Sequence, residues 1–401
     1  MNTISTNLLW LPGLAMALSA ITVLSPPSTG NVVTGDEAEW IQSRCTVSRT
    51  TYSCSADPFP DRASPAADTQ AGYTGAEMGP VTQIWNRLRR GFTLPAGNNH
   101  TIRHYLASYK RNHGAISRIL KHGEPYLYYI LNRVEQRGLP AELAMLPFVE
   151  SAFDPHATSP VGAAGLWQFM PGTAASLGLS QDWWYDGRRD VIDATEAALD
   201  YLEQLHRDFG DWLLALAAYN AGSARVQRAI EKNRSEGKPV DFWHLPLPAE
   251  TRDYVPRLIA LRAVINHPAD YNITLPSLPD THYFIRVNTQ GRIDLQVAAR
   301  LAGISEEELK RLNPGILRLI TPPDRPSILL IPKASEKIFG ERLARLSDEE
   351  RIQSFRHRIL RGDTLSMIAR HYRTTVARLL RVNHLENTEI IAGEFIVVPG
   401  S

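Results

Sequence analysis

The chain has little cysteine and almost no net charge, and both shortages exclude classes of protein. Two cysteines among 401 residues rule out a disulfide-rich scaffold and a multi-cysteine metal site. A formal net charge of +1 gives no global attraction for nucleic acid. The sequence also shows no phosphate-binding glycine loop, no serine nucleophile elbow and no metal-ligand spacing. No cofactor and no metal are therefore expected, and two or three globular domains fit the length.

The N-terminal part of the chain predicts export rather than a folded core. Residues 8–24 are apolar, are interrupted by Pro12 and Gly13, and have small residues after their centre, as in a secretory signal segment, although no Lys or Arg precedes them. The run is also long enough for an uncleaved membrane anchor. We predict a signal or anchor segment at residues 1–24 and a polar, flexible linker at residues 25–80. Cys45 and Cys54 lie in that linker, where a small disulfide and two free thiols both stay open.

Residues 81–270 have the apolar spacing of helices and show no alternating strand pattern. The clearest helix is predicted over residues 191–209, with Gly210 in the position of a C-terminal cap. Asp211 begins the next helix, and Pro140 is expected to begin the one that carries Glu150. This part of the chain is therefore predicted to be a nearly all-α domain.

The C-terminal part contains an internal repeat. Residues 293–313 align without gaps on residues 363–383 at an offset of seventy, and both copies end in asparagine, Asn313 and Asn383. Each copy lies between two short apolar strands, and the second strands close on Pro332 and Pro399. We predict two βααβ modules, at residues 280–335 and 355–400, of which the first has diverged more. Residues 351–401 contain eight arginines and four acids, a net charge of +4 that suits an anionic polymer or a solvated surface.

Glu150 is the acid whose position suggests chemistry. Leu146 and Leu143 precede it by four and seven residues, so on a helix all three share an apolar, inward face. Burial of an unpaired carboxylate raises its pKa, and a glutamic acid that is protonated near neutral pH can act as a general acid on a glycosidic oxygen. The alternative is a carboxylate at a helix end with a structural role.

Four motifs in register carry a resemblance to a known family. They are Glu-Ser at Glu150, GLWQ ending at Gln168, AYNAG around Tyr219 and ETRDYV around Tyr254. Together they resemble the lytic transglycosylases of the Slt type, which cleave bacterial peptidoglycan, and the whole architecture looks like their membrane-bound D group. Trp167 stands where the commoner family motif has Met, a change expected to alter the wall of the glycan groove.

The resemblance implies that Glu150 protonates the oxygen between N-acetylmuramic acid and N-acetylglucosamine. It would then act as base on the 6-hydroxyl of the same muramic acid, which closes to a 1,6-anhydro end without water. Substrate-binding roles are implied for Ser151, Gln168, Tyr219, Asn220 and Tyr254. From the residues alone, each of these also has a structural interpretation as a cap, a buried hydrogen bond or a core aromatic.

Other candidates near these motifs are predicted to be structural. Asp154 precedes a proline, which favours a turn over a second catalytic acid. Trp183 and Trp184 are expected to pack a loop rather than to stack on sugars. A charge cluster is predicted at Asp186, Arg188 and Asp190.

The second repeat is similar to the lysin motif, LysM, which binds glycans containing N-acetylglucosamine. The resemblance places a shallow groove around the residues Gly362, Asp363, Thr364, Leu365 and Ile391. Turn formation and core packing are the structural alternatives for these residues. The first repeat has Arg-Ile-Asp in place of the Gly-Asp-Thr start. Sugar binding is therefore not assumed for it, and a role as a spacer stays open.

The overall expectation is an α+β multidomain protein with a mainly α lysozyme-like domain followed by small LysM-type modules. Its expected partner is the peptidoglycan glycan strand, with membrane association through the N-terminus and no nucleic acid. The expected location is the cell envelope, in the periplasm. Two other functions stay open: a peptidoglycan-binding protein without catalysis, and a muramidase that uses water and a distant acid such as Asp186.

Overall fold

The computed structural model describes residues 45–48, 51–54, 84–352, 355–383 and 385–398. The chain divides into two compact units, Met1–Pro80 and Val81–Ser401. In the first unit, strands β1 (Cys45–Ser48) and β2 (Thr51–Cys54) form an antiparallel hairpin whose register sets Cys45 opposite Cys54. A disulfide and two free thiols both stay open for this pair. The expected signal or anchor segment, and most of the expected linker, lie outside the described residues.

Residues 84–273 form a helical domain around one large apolar core. Short 3₁₀ helices occur at Ala141–Met145, Phe242–His244 and Pro268–Tyr271. The α-helices are α1 (Ile84–Arg90), α2 (His100–Arg111), α3 (His113–His122), α4 (Leu127–Gln136), α5 (Leu146–Ser151), α6 (Pro171–Ser176), α7 (Val191–Phe209), α8 (Trp212–Ala221), α9 (Ser223–Ser235) and α10 (Ala249–Asn266).

Sequence signals account for the ends of the central helices. The Asp190 side chain accepts hydrogen bonds from the backbone N–H groups of Ile192 and Asp193, which begins α7 as an N-cap. Gly210 ends α7 with φ of +68°, a left-handed conformation that glycine adopts without strain. Asp211 caps α8 through the N–H of Leu214. The predicted limits of α7 and the predicted start of α8 are thus confirmed.

The helix that carries Glu150 differs from its prediction. Pro140 does not begin it, because Ala141–Met145 form a 3₁₀ helix and only Leu146–Ser151 are α-helical, with Pro147 in the first turn. Leu143 therefore lies outside the helix of Glu150, and the face shared at α-helical spacing reduces to Leu146. Helix α10 packs against α2, α5 and α8, and its position brings Tyr254 to Glu150 from the far end of the domain.

The two C-terminal modules have the predicted βααβ order. Within each module the two strands pair antiparallel, Phe284 opposite Pro332 and Arg358 opposite Phe395. Helix α13 (Glu336–Leu343) places Phe339 in the core of the first module, which therefore extends beyond the expected boundary at residue 335. The modules contain β3 (Phe284–Asn288), α11 (Leu295–Ala302), α12 (Glu306–Leu312) and β4 (Ile328–Pro332), then α14 (Asp348–Arg351), β5 (Phe355–Arg358), α15 (Leu365–His371), α16 (Val376–Val382) and β6 (Phe395–Val398).

The matched asparagines explain why the two modules share a fold. The Asn313 amide donates to the carbonyls of Leu309 and Leu330 and accepts from the N–H of Leu330, each at 2.8 Å. The Asn383 amide makes the same three bonds, to Leu379 and twice to Val397. In both modules, one side chain thus joins the end of the second helix to the second strand. The internal repeat inferred from sequence is a structural repeat.

Candidate active site

Glu150 lies in the last turn of α5, at a strained point of the backbone. Helix α5 ends at Ser151, and the two residues after it, Ala152 and Phe153, have φ of 53° and 58°. This left-handed conformation is unfavourable for residues other than glycine. Phe153 is 2% exposed, and its ring packs so closely on Gly123 that a Cβ there would approach it to 3.0 Å. This packing holds the sharp turn, and the turn leaves Glu150 at the end of its helix.

Burial dominates the electrostatics of Glu150. The side chain is only partly exposed, and its desolvation raises the pKa of the carboxyl from 4.5 to about 7. The Tyr254 hydroxyl donates a 2.6 Å hydrogen bond to Oε1, which favours the charged form and opposes this rise. The charge of Glu250 raises the pKa further, and the charge of Arg257 lowers it. Glu150 therefore carries its proton up to near neutral pH and can then lose it.

Two tyrosines line the protein side of the carboxyl group. Tyr254 is 3% exposed, and burial together with the Glu150 charge raises its pKa well above the ordinary value. Tyr219 has a similarly raised pKa for the same two reasons, and its hydroxyl donates to the Trp167 carbonyl at 2.8 Å. Both hydroxyls stay protonated and neutral across the physiological range, so they serve as hydrogen-bond donors.

The GLWQ motif forms a tight loop beside this centre. The loop is closed by paired backbone bonds between Ala164 and Phe169, and Gln168 takes a left-handed φ of 50°. The Gln168 amide donates to the Gly165 carbonyl at 2.8 Å, which is the capping role that the sequence left open. Trp167 is fully buried and donates its indole N–H to Thr195, so the expectation that it alters the groove wall is wrong.

Ser151 and Asn220 make structural bonds. The Ser151 hydroxyl donates to the carbonyls of Leu166, at 2.9 Å, and of Pro147, at 3.1 Å, which ties the helix of Glu150 to the GLWQ loop. Asn220 accepts a 2.8 Å bond from the hydroxyl of Thr251, which links α8 to α10. The structure therefore brings the four motifs together around Glu150, and several of their polar groups form hydrogen bonds within the protein.

The other acids considered from sequence have their own partners. Asp154 is exposed and accepts the N–H of His156 in a turn, as its sequence suggested. Asp186 is 6% exposed and pairs with Arg188 at 2.7 Å, and Arg189 lies 3.6 Å away. The action of the Glu250 and Arg257 charges on Glu150 was not predicted from the sequence, although Glu250 belongs to the ETRDYV motif. Their position on α10, one helix turn either side of Tyr254, was the available signal.

The residues predicted for the glycan groove of the second module divide into exposed and internal ones. Gly362 and Thr364 form the turn that begins α15, where Thr364 is the N-cap, and Ile391 is 64% exposed. Asp363 accepts the N–H of Leu360 at 2.8 Å and lies 3.0 Å from the His357 ring. Leu365 is 1% exposed and belongs to the core, so its side chain is not available to a ligand.

Among the described residues, no group of three or more His, Cys, Asp or Glu side chains lies close enough to hold a metal ion. The groups described at this centre are the Glu150 carboxyl group, the hydroxyls of Tyr219 and Tyr254, and the charges of Glu250 and Arg257.

Three family models match the chain in succession. The transglycosylase SLT domain matches residues 129–242, the LysM-like domain of lytic transglycosylase MltD matches residues 283–348, and the LysM domain matches residues 357–399.

The relatives agree with these matches. The chain is 35% identical over 335 residues to the membrane-bound lytic murein transglycosylase D of Escherichia coli K12, which covers 81% of this chain and 74% of that protein. It is 34% identical over 123 residues to the soluble lytic murein transglycosylase of Salmonella typhimurium, 29% of this chain and 19% of that one. The solved 70 kDa soluble lytic transglycosylase of Escherichia coli aligns with a TM-score of 0.29 and 27% identity over 35% of this chain and 24% of its own.

Proposed function

The chain belongs to the family of membrane-bound lytic murein transglycosylase D, and we propose that Glu150 is its catalytic acid and base. It is an enzyme of the lytic murein transglycosylase class with LysM-type modules for glycan binding. The proposed reaction breaks the β-1,4 bond from N-acetylmuramic acid to N-acetylglucosamine. The observation that carries the proposal is a carboxyl group with a pKa raised to about 7 that is hydrogen-bonded to a tyrosine and, among the residues that the structure describes, to no cation.

The reaction takes place in two proton transfers at one side chain. Protonated Glu150 donates its proton to the glycosidic oxygen as the bond to the anomeric carbon breaks, which releases N-acetylglucosamine as the leaving group. The carboxylate left behind accepts the proton of the muramic acid 6-hydroxyl, whose oxygen then bonds to the same anomeric carbon. The product is a 1,6-anhydro end, and Glu150 regains its proton for the next cycle. A pKa near 7 suits both steps, because neither ionisation state is costly at neutral pH.

This mechanism does not need a second carboxylate, whereas most glycosidases do. Hydrolysis would require a base for water or a nucleophile on the opposite side of the sugar. Asp154 is engaged in a turn, and Asp186 is paired with Arg188. Both of these acids are engaged by the protein, whereas Glu250 is an exposed carboxylate whose charge acts on Glu150, so the chemical form of the products decides between the intramolecular route and a muramidase.

Substrate contacts are proposed for the polar residues around the carboxyl group. Tyr254 holds Glu150 in place and remains neutral beside it. Gln168, Tyr219 and Asn220 are partly exposed at the same centre, and Ser151 fixes the loop that bears Gln168. These five residues are proposed to form the wall of the glycan groove.

The second module is proposed to bind N-acetylglucosamine-containing glycans at its exposed turn. Gly362, Thr364 and Ile391 are the members of the predicted set that remain accessible, with Asp363 and Leu365 shaping the turn from inside. In the first module, the equivalent segment is covered by its own chain: the Thr321 N–H donates to the Ile293 carbonyl, the Ile293 N–H donates to the Thr321 hydroxyl, and the Leu295 N–H donates to the Leu319 carbonyl. The first module is therefore proposed to be a spacer.

The proposed location is the cell envelope, on the periplasmic side, with export directed by residues 1–24. The described part of the chain contains no helix long and apolar enough to cross a membrane. Any membrane association is accordingly proposed for the N-terminal segment, and the proposed division is residues 81–270 for the catalytic domain and 355–400 for the glycan-binding module.

Digestion of purified peptidoglycan, followed by mass spectrometry of the products, tests this function. Muropeptides with 1,6-anhydro ends are expected. Reducing-end products would instead show a hydrolytic muramidase, and uncleaved glycan would show a protein that only binds.

A further inference from the structure

A loop of the helical domain is held by both C-terminal modules, although it contains no residue of the four motifs. We call residues 180–189 the docking loop. The Trp183 ring lies flat on the His371 imidazole of the second module, with 4.2 Å between ring centroids and 2° between planes. The Arg318 guanidinium of the first module lies 3.6 Å from the Trp183 ring centroid, and its Nε donates to the Trp183 carbonyl. One tryptophan thus contacts both modules.

The next two residues complete an apolar interface. Trp184 and Tyr185 are 6% and 9% exposed, and they belong to the same core as Leu365 and Ile368 of the second module. The Trp184 ring packs edge-on against Tyr372 at 5.1 Å. Aromatic residues of this size bury about 150–250 Å² each. Contacts between domains of one chain are usually more polar and leave the domains free to move, so this loop makes an unusually firm attachment.

Backbone bonds fix the loop to the first module as well. The N–H of Asp186 donates to the Gly315 carbonyl at 2.9 Å, and the N–H of Leu317 donates to the Trp184 carbonyl at 2.8 Å. Gly315 lies so close to the Tyr185 ring that a Cβ there would approach it to 2.9 Å. These contacts require one defined position of the docking loop.

The far end of the docking loop supports the segment that bears Gln168. Arg188 donates to the Gly162 carbonyl, and Arg189 donates to the His156 carbonyl, each at 2.7 Å. The backbone carbonyl of Arg188 lies where a Cβ on Gly165 would be, 2.0 Å away, so the two loops fit only in close contact. The same segment continues through Leu166, whose carbonyl accepts the Ser151 hydroxyl next to Glu150.

We propose that the docked LysM module positions the catalytic groove, with Trp183 as the positioning residue that transmits its placement to residues 156–169. This inference rests on the proposed function and extends it. The module then contributes to turnover itself, in addition to retaining the enzyme on its polymer. Turnover of a soluble glycan too short to occupy both sites depends on docking.

The test combines hydrogen exchange with kinetics on the full chain. The Trp183→Ala and His371→Ala variants are expected to raise amide exchange in residues 156–169. They should lower kcat on short soluble glycan about tenfold with KM nearly unchanged, because small displacements of positioning groups cost up to about 10²-fold. His371→Phe keeps a flat ring and should restore both values. His206→Ala is the matched control, since His206 stacks on Trp212 at 4.0 Å within the helical domain.

Wild-type amide exchange in residues 156–169 and wild-type kcat in the double variant Trp183→Ala/His371→Ala would overturn the proposal, whether or not the second module still contacts the docking loop. A fall in kcat that His206→Ala reproduces would do so too. An inactive wild-type enzyme would instead refute the proposed function, and the exchange measurement would still decide the coupling. An Ile391→Ala variant should weaken binding to whole sacculi and leave exchange in residues 156–169 unchanged.

Discussion

Glu142 and Glu150 lie eight residues apart on one segment, and their surroundings differ in a way that separates structure from chemistry. Glu142 is 1% exposed, accepts the N–H groups of Thr93 and Leu94 and lies 3.2 Å from the Arg262 guanidinium. Within the described part of the chain, Glu150 accepts a hydrogen bond from one neutral donor, the Tyr254 hydroxyl. Burial raises the pKa of both carboxyl groups. Burial alone therefore does not identify a catalytic acid; the number and charge of its partners do.

The largest expected effect separates the two glutamates by activity. Glu150→Gln removes the proton that both steps require, so turnover of peptidoglycan should fall about 10²–10⁴-fold, near the upper end because one residue serves twice. Glu142→Gln, assayed at a temperature where it is folded, should keep turnover within a fewfold of wild type. Release of soluble muropeptides measures both, and normal turnover by Glu150→Gln would sink the assignment.

The second effect concerns stability, where the substitution of Glu142 is expected to cost more than that of Glu150. Glu142→Gln leaves buried partners of the carboxylate imperfectly paired, which should lower the free energy of unfolding by about 2–4 kcal/mol. Glu150→Gln retains an oxygen for the Tyr254 hydroxyl and should cost less than about 1 kcal/mol at pH 5, where the wild-type group is also neutral. Urea unfolding of both variants checks this, and an equal loss would remove the distinction between them.

A smaller effect concerns the Tyr254 hydroxyl, which donates to Glu150. The Tyr254 hydroxyl favours the carboxylate, so Tyr254→Phe should raise the pKa of Glu150 above about 7. Because the acid form starts the reaction, the fall of kcat/KM on the alkaline side should move to higher pH, with a loss in kcat of about tenfold for the lost positioning. An alkaline limb that stays in place, or moves to lower pH, contradicts this role.

The sequence predicted what depends on local spacing. The caps at Asp190 and Gly210, and the repeat marked by Asn313 and Asn383, follow from chain neighbours and from one alignment, and the structure confirms them. The inward position of Glu150 was also expected, but the 3₁₀ helix before Leu146 was not. The predicted apolar face included Leu143, which lies outside the shorter α-helix of the protein.

The sequence could not predict what depends on distant contacts. Tyr254 lies 104 positions from Glu150, and the hydrogen bond between them follows from how α10 crosses the domain. Trp183 contacts His371 across a much longer stretch of chain, and the spacing of apolar residues within either segment does not indicate this contact. The motif resemblance implied a substrate-binding role for Tyr254, whereas only the fold shows that Trp167 is buried and that Glu142 is a carboxylate held by backbone N–H groups.

Titration of the Glu150 carboxyl group by ¹³C nuclear magnetic resonance tests the central claim most directly. Protein labelled at glutamate carboxyl carbons would be compared with the Glu150→Gln variant, in which one signal disappears. The account predicts that this signal titrates near pH 7 in the wild-type protein. Titration of the same signal near 4.5, the ordinary value for glutamate, would contradict it.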